Sequence, residues 1–392
     1  MKIKPAERLK TLPEYLFDEL DRKKAEAESR GVDVIDLGVG DPDLASPDYV
    51  VDTLAEAARN PARQHYPSFR GLPEYRKAIA RWYQREFSVG LDPQKEVLLS
   101  IGSKIGIATV PTALCDPGDV VLCPDPCYTA YHPGITLLGN GIYPIPLLRE
   151  NDFLPDLGSI PSDACQRAKM MILNYPNNPT AAVATPEFFA DVVRFAQDNG
   201  VVIIHDAAYS QTIFEDQRPI SFLSAPGAKE VGIEFNSLSK TFNMTGWRIG
   251  FAVGNAEVIA ALAAVKSNID MGAFEPIQHA AIAALEGGME FTRKMNQIYQ
   301  RRRDILVEGL TSLGWDVIIP KATFFCWLPI PAAGKPSIEF AGEILDRAGV
   351  VVAPGIAFGT HGEGFIRVAV TRDENRIRLA IRRLKDAGFD YT

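Results

Sequence analysis

The feature that most limits the fold is an alternation of short apolar runs with amphipathic stretches through the middle of the chain. Residues 97–101, 120–122, 170–174, 201–204 and 250–253 read as buried strands, and helical patterns such as Leu72 to Phe87 and Pro186 to Asn199 lie between them. Strands alternating with helices predict a mostly parallel sheet covered on both faces. In such sheets ligands collect at the carboxyl ends of the strands. Ser103, Tyr128, Asn178, Asp206, Tyr209 and Lys240 all fall just past predicted strands. Taken singly, each is better read as a turn or cap residue. Their shared placement points to a ligand site.

Lys240 sits in the run Asn236-Ser237-Leu238-Ser239-Lys240-Thr241, with Glu234 and Arg248 as its nearest charged neighbours. A lysine in a neutral, partly apolar setting loses its proton more readily and becomes a nucleophile. Schiff-base chemistry requires such an amine, although a buried structural lysine fits this stretch alone equally well. Gly102-Ser103-Lys104 opens a helix directly after a strand, where free N–H groups and the positive end of the helix dipole form an anion site. An ordinary N-cap serine is the simpler reading there. Gly38-Val39-Gly40-Asp41-Pro42-Asp43 lacks the third glycine of a dinucleotide fingerprint. Its glycines suit a loop approaching something closely, or a simple turn. Arg367 lies inside an apolar run, a costly place for a guanidinium without an anion. It reads as a bidentate clamp for a substrate carboxylate, with a buried salt bridge as the alternative.

A chain of 392 residues exceeds one ordinary core, so two units are expected. A net charge of −8 argues against nucleic acid or an anionic membrane as partner. The N-terminus lacks a signal peptide's apolar core, and the uncharged run from Val258 to Val265 is too short to span a bilayer. The five cysteines are odd in number, and Cys123 and Cys127 stand four apart across two prolines. That spacing suits neither a zinc knuckle nor a redox pair, so reduced thiols, no metal and a cytoplasmic location are expected. An amphipathic helix is expected from Leu12 to about Arg30, and the chain after Glu290 reads as an α+β unit with extended runs at 315–319, 324–328, 350–355 and 364–370.

Together these segments resemble the fold-type I pyridoxal-phosphate (PLP) aminotransferases of class I/II. The resemblance rests on Asn178-Pro179-Thr180, Asp206-Ala207-Ala208-Tyr209, Ser237-Leu238-Ser239-Lys240, Gly246-Trp247-Arg248-Ile249-Gly250 and Arg367, in that order. It implies an α/β fold whose large domain, residues 46–285, holds a mostly parallel seven-stranded sheet. Residues 1–45 and 286–392 would form the smaller α+β domain. The resemblance further implies that Lys240 forms the Schiff base with PLP and shuttles a proton. Asp206 would pair with the pyridine nitrogen. Tyr209 and Asn178 would bond the ring's phenolic oxygen, and Tyr128 would stack on the ring. Gly102, Ser103, Lys104, Ser237, Ser239 and Arg248 would surround the phosphate, joined by Tyr66 from the neighbouring subunit of a homodimer. Arg367, Gly40 and Asn178 would hold the substrate α-carboxylate. Ala181 departs from the glycine usual after Asn-Pro-Thr, and Ile105 from a position often acidic.

Tyr15-Leu16-Phe17 and Lys266-Ser267-Asn268-Ile269-Asp270 are similar to stretches of the LL-diaminopimelate aminotransferases. That likeness implies LL-diaminopimelate and 2-oxoglutarate as substrates, in lysine biosynthesis. Tyr15 would cover the site, Lys104 would meet a distal carboxylate, and the loop from Ser267 to Phe274 would come from the partner subunit. Tyr15 and Phe17 could equally staple the helix to the core. An aspartate- or alanine-type aminotransferase and a PLP-dependent C–S β-lyase stay open as alternatives. A PLP-binding regulator would need a DNA-binding module, for which the short N-terminal segment leaves no room.

Overall fold

A computed structural model describes residues 3–12, 17–215, 217–332 and 334–392. Its strands in chain order are β1 (Ile35–Asp36), β2 (Val97–Ser100), β3 (Val120–Asp125), β4 (Gly141–Pro146), β5 (Ala168–Asn174) and β6 (Val202–Asp206). They continue with β7 (Gly232–Ser237), β8 (Gly250–Gly254), β9 (Phe325–Pro329), β10 (Val350–Val351), β11 (Ala353–Pro354) and β12 (Phe365–Ala369). Seven of them form one sheet in the order β2-β8-β7-β6-β5-β3-β4. Strand β8 is antiparallel to both its neighbours, and the other pairings are parallel. The central strands β6 and β7 are buried almost throughout, as expected where helices cover both faces.

Local chemistry sets the helix limits. The helix Pro186–Asn199 begins where Thr185 Oγ1 accepts the Phe188 N–H at 3.1 Å, with proline in its first turn. It ends at Gly200, whose φ of 65° is left-handed. Strand β4 escapes a reading from sequence because Pro144 and Pro146 interrupt its pattern. It lies at the sheet edge, where missing N–H donors cost nothing.

A second core gathers around Phe325, Ile366, Val350 and Leu306, with the antiparallel sheet β11-β12-β9. Strand β1 pairs with β10, so the chain just after the first helix is built into this smaller unit. Residues 315–319, expected to be extended, form no strand. Trp315 is held instead by its side chain, whose Nε1–H donates to the Phe389 carbonyl at 3.0 Å. The first long helix runs Phe17–Ser29, and Tyr15 lies outside the described residues. The helix Ala256–Ile269 takes in residues 267–269, so only part of the stretch from Ser267 to Phe274 is loop. Lys266 pairs with Asp270 at that helix end.

Polar links tie the loop after β1 to the rest of the smaller unit and tie that unit to the end of β3. Arg302, on the helix Glu290–Ser312, grips Asp43 bidentately at 2.8 and 2.9 Å and anchors the loop after β1. Asp125, at the end of β3, accepts from Thr360 Oγ1 at 2.6 Å and from the His361 N–H at 3.2 Å. Among the described residues no helix is long and apolar enough to cross a membrane.

Candidate active site

At the carboxyl ends of the large sheet lies a cavity of about 320 Å³. Lys240, Asp206, Tyr209, Tyr128, Asn178, Ser103, Lys104, Ser237, Ser239, Arg248, Gly40 and Arg367 all line it. The parallel strands deliver most of these, each just past its own carboxyl end. Arg367 and the segment 38–40 come from the smaller unit, so the cavity lies between the two cores.

Lys240 stands in a one-turn helix, Leu238–Thr241, directly after β7. Burial is the main cause that lowers its pKa to about 8, and Arg248 adds repulsion, while Asp41 and Asp206 oppose the shift. The ammonium is thus destabilised without an acid bonded to it among the described residues. Asp206, at the end of β6, is buried and its pKa is raised, chiefly by desolvation. Its Oδ2 accepts from the Tyr131 hydroxyl at 2.8 Å and its Oδ1 from the Ala208 N–H at 3.2 Å. A buried carboxylate so placed has room in its bonding for a cationic partner in the cavity.

Arg367 lies in β12 and is buried. Its Nη1 donates to Asn178 Oδ1 at 2.7 Å and its Nη2 to the Gly38 carbonyl at 2.8 Å, while Nε is buried without a partner. Its guanidinium carbon sits 4.1 Å from the Phe325 ring centre and 4.6 Å from that of Phe358. No carboxylate pairs with it among the described residues, so the buried salt bridge is not what holds it. Burial lowers its pKa to about 10. Such a cation is prepared for an anion from solution.

The start of the helix Ser103–Leu114 also lines the cavity. Its N-cap is Gly102, no side chain caps it, and φ there is 75°. A Cβ on Gly102 would stand 2.6 Å from Arg248 Nη2, so only glycine lets the guanidinium approach. Arg248 itself adopts a φ of 54° and donates through Nη1 to the Thr245 carbonyl at 2.8 Å. Open helix N–H groups, Ser103, Ser237 and Arg248 make an anion-binding corner. Gly40 packs under Phe325, where a Cβ would come within 2.2 Å of the ring.

Several residues in or behind the cavity wall went unread in the sequence. Tyr131, at the start of the helix Tyr131–Thr136, holds Asp206, and its place three residues after Tyr128, whose carbonyl accepts its N–H at 3.2 Å, was the available signal. Asn174 donates from Nδ2 to the Asp206 carbonyl at 2.8 Å and accepts the Asn178 N–H at 2.8 Å, which locks the ends of β5 and β6 together. Phe325 and Phe358 carry no sequence signal beyond hydrophobicity. Ala181, at the departure from Asn-Pro-Thr-Gly, has a φ of 60°, the left-handed conformation that glycine adopts without strain. Tyr66 is not brought to the cavity of its own chain. It is 89% exposed, and Asn268 is exposed on the Ala256–Ile269 helix, donating to the Ala264 carbonyl at 2.9 Å. Residue 66 lies in the loop before the helix Pro73–Phe87 and residue 268 in the last turn of the helix Ala256–Ile269, and both are exposed in the single chain.

A cavity that gathers a half-buried lysine, a buried carboxylate and an arginine without a carboxylate partner among the described residues, beside an anion-binding corner, suits a small anionic ligand. The chain belongs to the aminotransferase class I and II family, whose sequence model matches residues 32–384. It is 52% identical over 384 residues to the LL-diaminopimelate aminotransferase of Syntrophobacter fumaroxidans, covering 98% of this chain and 99% of that protein. It is also 52% identical to the LL-diaminopimelate aminotransferase of Moorella thermoacetica, covering 97% of each chain. Among solved structures, apo BacF from Bacillus subtilis matches with a TM-score of 0.96 and 40% identity over 100% of both chains. The chain is therefore an aminotransferase of the α/β, fold-type I architecture.

Proposed function

We propose that this enzyme is a PLP-dependent LL-diaminopimelate aminotransferase using glutamate and 2-oxoglutarate as the second substrate pair, in lysine biosynthesis. The observation that carries the chemistry is Lys240, half-buried with its pKa lowered to about 8 in one cavity with Asp206, Arg248 and Arg367. The residues fit PLP. The corner at Gly102, Ser103, Ser237 and Arg248 suits a phosphate, and Asp206 suits a protonated ring nitrogen. When bound, PLP supplies an electron sink that makes the substrate Cα–H acidic.

The chain's own groups do the rest. Arg367 orients the α-carboxylate, held in its plane by Asn178 and the Gly38 carbonyl. Lys240 Nζ takes and returns the proton, which a lysine with a pKa near working pH does efficiently. Tyr131 and Asn174 fix Asp206 so that its charge meets the cavity in one orientation. Tyr128 and Tyr209 form the walls, and burial pushes the Tyr209 hydroxyl up, so it stays a donor.

Lys104 supports the choice of substrate. It is exposed yet lines the same cavity as Arg367, so it offers a cation for a second carboxylate on a long substrate. Full-length identity of about half to enzymes named for that activity supports the same choice. A homodimer is part of this reading. Ile105, Ile269, Met271 and Phe274 are exposed large apolar side chains, and Gly272 backs onto Ser68 in the loop that carries Tyr66. A second copy covering this face would bring Tyr66 and Asn268 to a neighbouring cavity. The domain limits proposed are residues 46–285 against 1–45 with 286–392, and the location proposed is cytoplasmic.

The test is a half-reaction screen. Holoenzyme is mixed with single amino donors and the visible absorption of the cofactor is followed. Rapid bleaching by LL-diaminopimelate and glutamate is expected. Bleaching by aspartate or alanine with none by LL-diaminopimelate would overturn the substrate, and ammonia release from cystathionine would mark a lyase.

A further inference from the structure

The spacing of Cys123 and Cys127 across two prolines argues against a metal site, but the fold brings a third ligand to them. After β3 the chain turns back, fixed by the Cys127 N–H donating to the Phe358 carbonyl at 2.8 Å. The two sulfurs then lie 4.0 Å apart, and Cys127 Sγ lies 3.4 Å from His132 Nε2. All three ligand atoms fall within 4.8 Å of one another. Zinc–sulfur and zinc–nitrogen bonds of about 2.3 and 2.0 Å set tetrahedral edges of roughly 3.8 Å between sulfurs and 3.5 Å from sulfur to nitrogen. The two shorter separations in the cluster match those edges closely.

We propose that Cys123, Cys127 and His132 form a binding site for a thiophilic divalent cation of the zinc class. Two thiolates and one imidazole are a soft donor set that selects such an ion over magnesium or calcium. Two thiols lose their protons to solvent as the ion binds, and neutral His132 gives its Nε2 lone pair. Two thiolates and one divalent ion sum to zero charge, so the complex can sit where Cys123 and Cys127 are buried. His132 is only partly buried and gives the ion its path from the surface, with the fourth position open to water on that side. The site is separate from the cavity but shares its wall. Cys127 precedes Tyr128, and His132 follows Tyr131, whose hydroxyl holds Asp206. A bound ion would therefore fasten the segment that carries both tyrosines.

The test uses chelator-stripped holoenzyme titrated with Co²⁺, whose ligand-field bands lie at longer wavelength than the cofactor's absorption. Intense tetrahedral bands saturating at a single Co²⁺ per chain are expected, with zinc displacing them and protons released on binding. His132→Gln and Cys127→Ser should each weaken binding at least about tenfold. Cys115→Ser, at a cysteine outside the cluster, should leave it unchanged. If Cys127→Ser fails to fold, His132→Gln on a partly exposed ring gives the same reading. Weak octahedral absorption, binding that survives His132→Gln, or a Cys123–Cys127 disulfide found by intact mass in fresh protein would overturn the proposal.

Discussion

The floor of the cavity and its rim differ in how the chain holds them. At the floor, Asp206 and Arg367 are buried and bonded to neighbouring elements, Asp206 by Tyr131 and Ala208 and Arg367 by Asn178 and Gly38. Lys240 is held there by a one-turn helix between β7 and the turn at Arg248. At the rim, Lys104 is exposed, and Tyr66 is exposed and does not line its own cavity. Strand ends fix positions to a fraction of an ångström because both neighbours of the strand are fixed too. Loops and helix starts at an open face gain that order only from a substrate or a second chain. Reaction chemistry thus belongs to the floor, and substrate choice to the rim.

The largest effect is expected from Lys240→Ala. A positioned proton-transfer group contributes up to about 10⁴-fold, so turnover with every donor should fall by that much or more while the fold persists. Wild-type turnover in steady-state assays would break the assignment of the floor. Arg367→Lys comes next. A compact ammonium cannot reproduce a fork that donates at once to Asn178, Gly38 and a carboxylate. We expect kcat/KM to drop about 10²-fold, equally for long and short donors, because the α-carboxylate is common to all. A loss confined to one donor would place Arg367 with the rim instead.

This division also governs what could be read from the sequence. The sheet was legible because β2, β3, β5, β6 and β8 hold continuous apolar runs, whereas β7, Gly-Ile-Glu-Phe-Asn-Ser, carries polar residues and offered no such run. The floor residues were legible because parallel strands put functional side chains immediately after such runs. Strand β4 was hidden by its prolines, and residues 315–319 carried a strand pattern that Trp315 satisfies through its side chain instead. Tyr131 and Asn174 escaped because each acts on Asp206 from another strand's end, a contact that depends on the order β6-β5-β3 and not on local spacing. The Cys123–Cys127–His132 cluster escaped for the same reason as any tertiary contact: the turn after β3, not the count between cysteines, sets the distance.

The floor should also leave a mark on stability. The Lys240 pKa falls from 10.5 when the chain is unfolded to about 8 in the fold. Below pH 8 both states carry the proton, and the fold bears the full cost of a desolvated ammonium. Between pH 8 and 10.5 the unfolded chain holds more protons, so stability rises with pH through that window. The gain amounts to about 3 kcal/mol at most. Cofactor-free enzyme should therefore unfold at higher denaturant as pH rises from 8 to 10, relative to Lys240→Met, which should lack this slope. Parallel curves for the two proteins would mean that the lysine is not desolvated as a charge.

The smallest effect, and the one that most sharpens the contrast, is expected from Lys104→Ala. Its ammonium is exposed, so removing it should leave the fold and the half-reaction with a donor that lacks a second carboxylate within about twofold, as for most surface changes. A long donor with a second carboxylate would lose one charge-assisted hydrogen bond, worth about 1.5–3 kcal/mol. KM for LL-diaminopimelate should rise about tenfold or more with kcat nearly unchanged, because the distal contact is made equally in ground and transition states. A fall in kcat for all donors would show that Lys104 serves the phosphate corner beside Ser103 and belongs to the floor. A split between long and short donors would place substrate choice on the rim, at a residue the sheet itself does not hold.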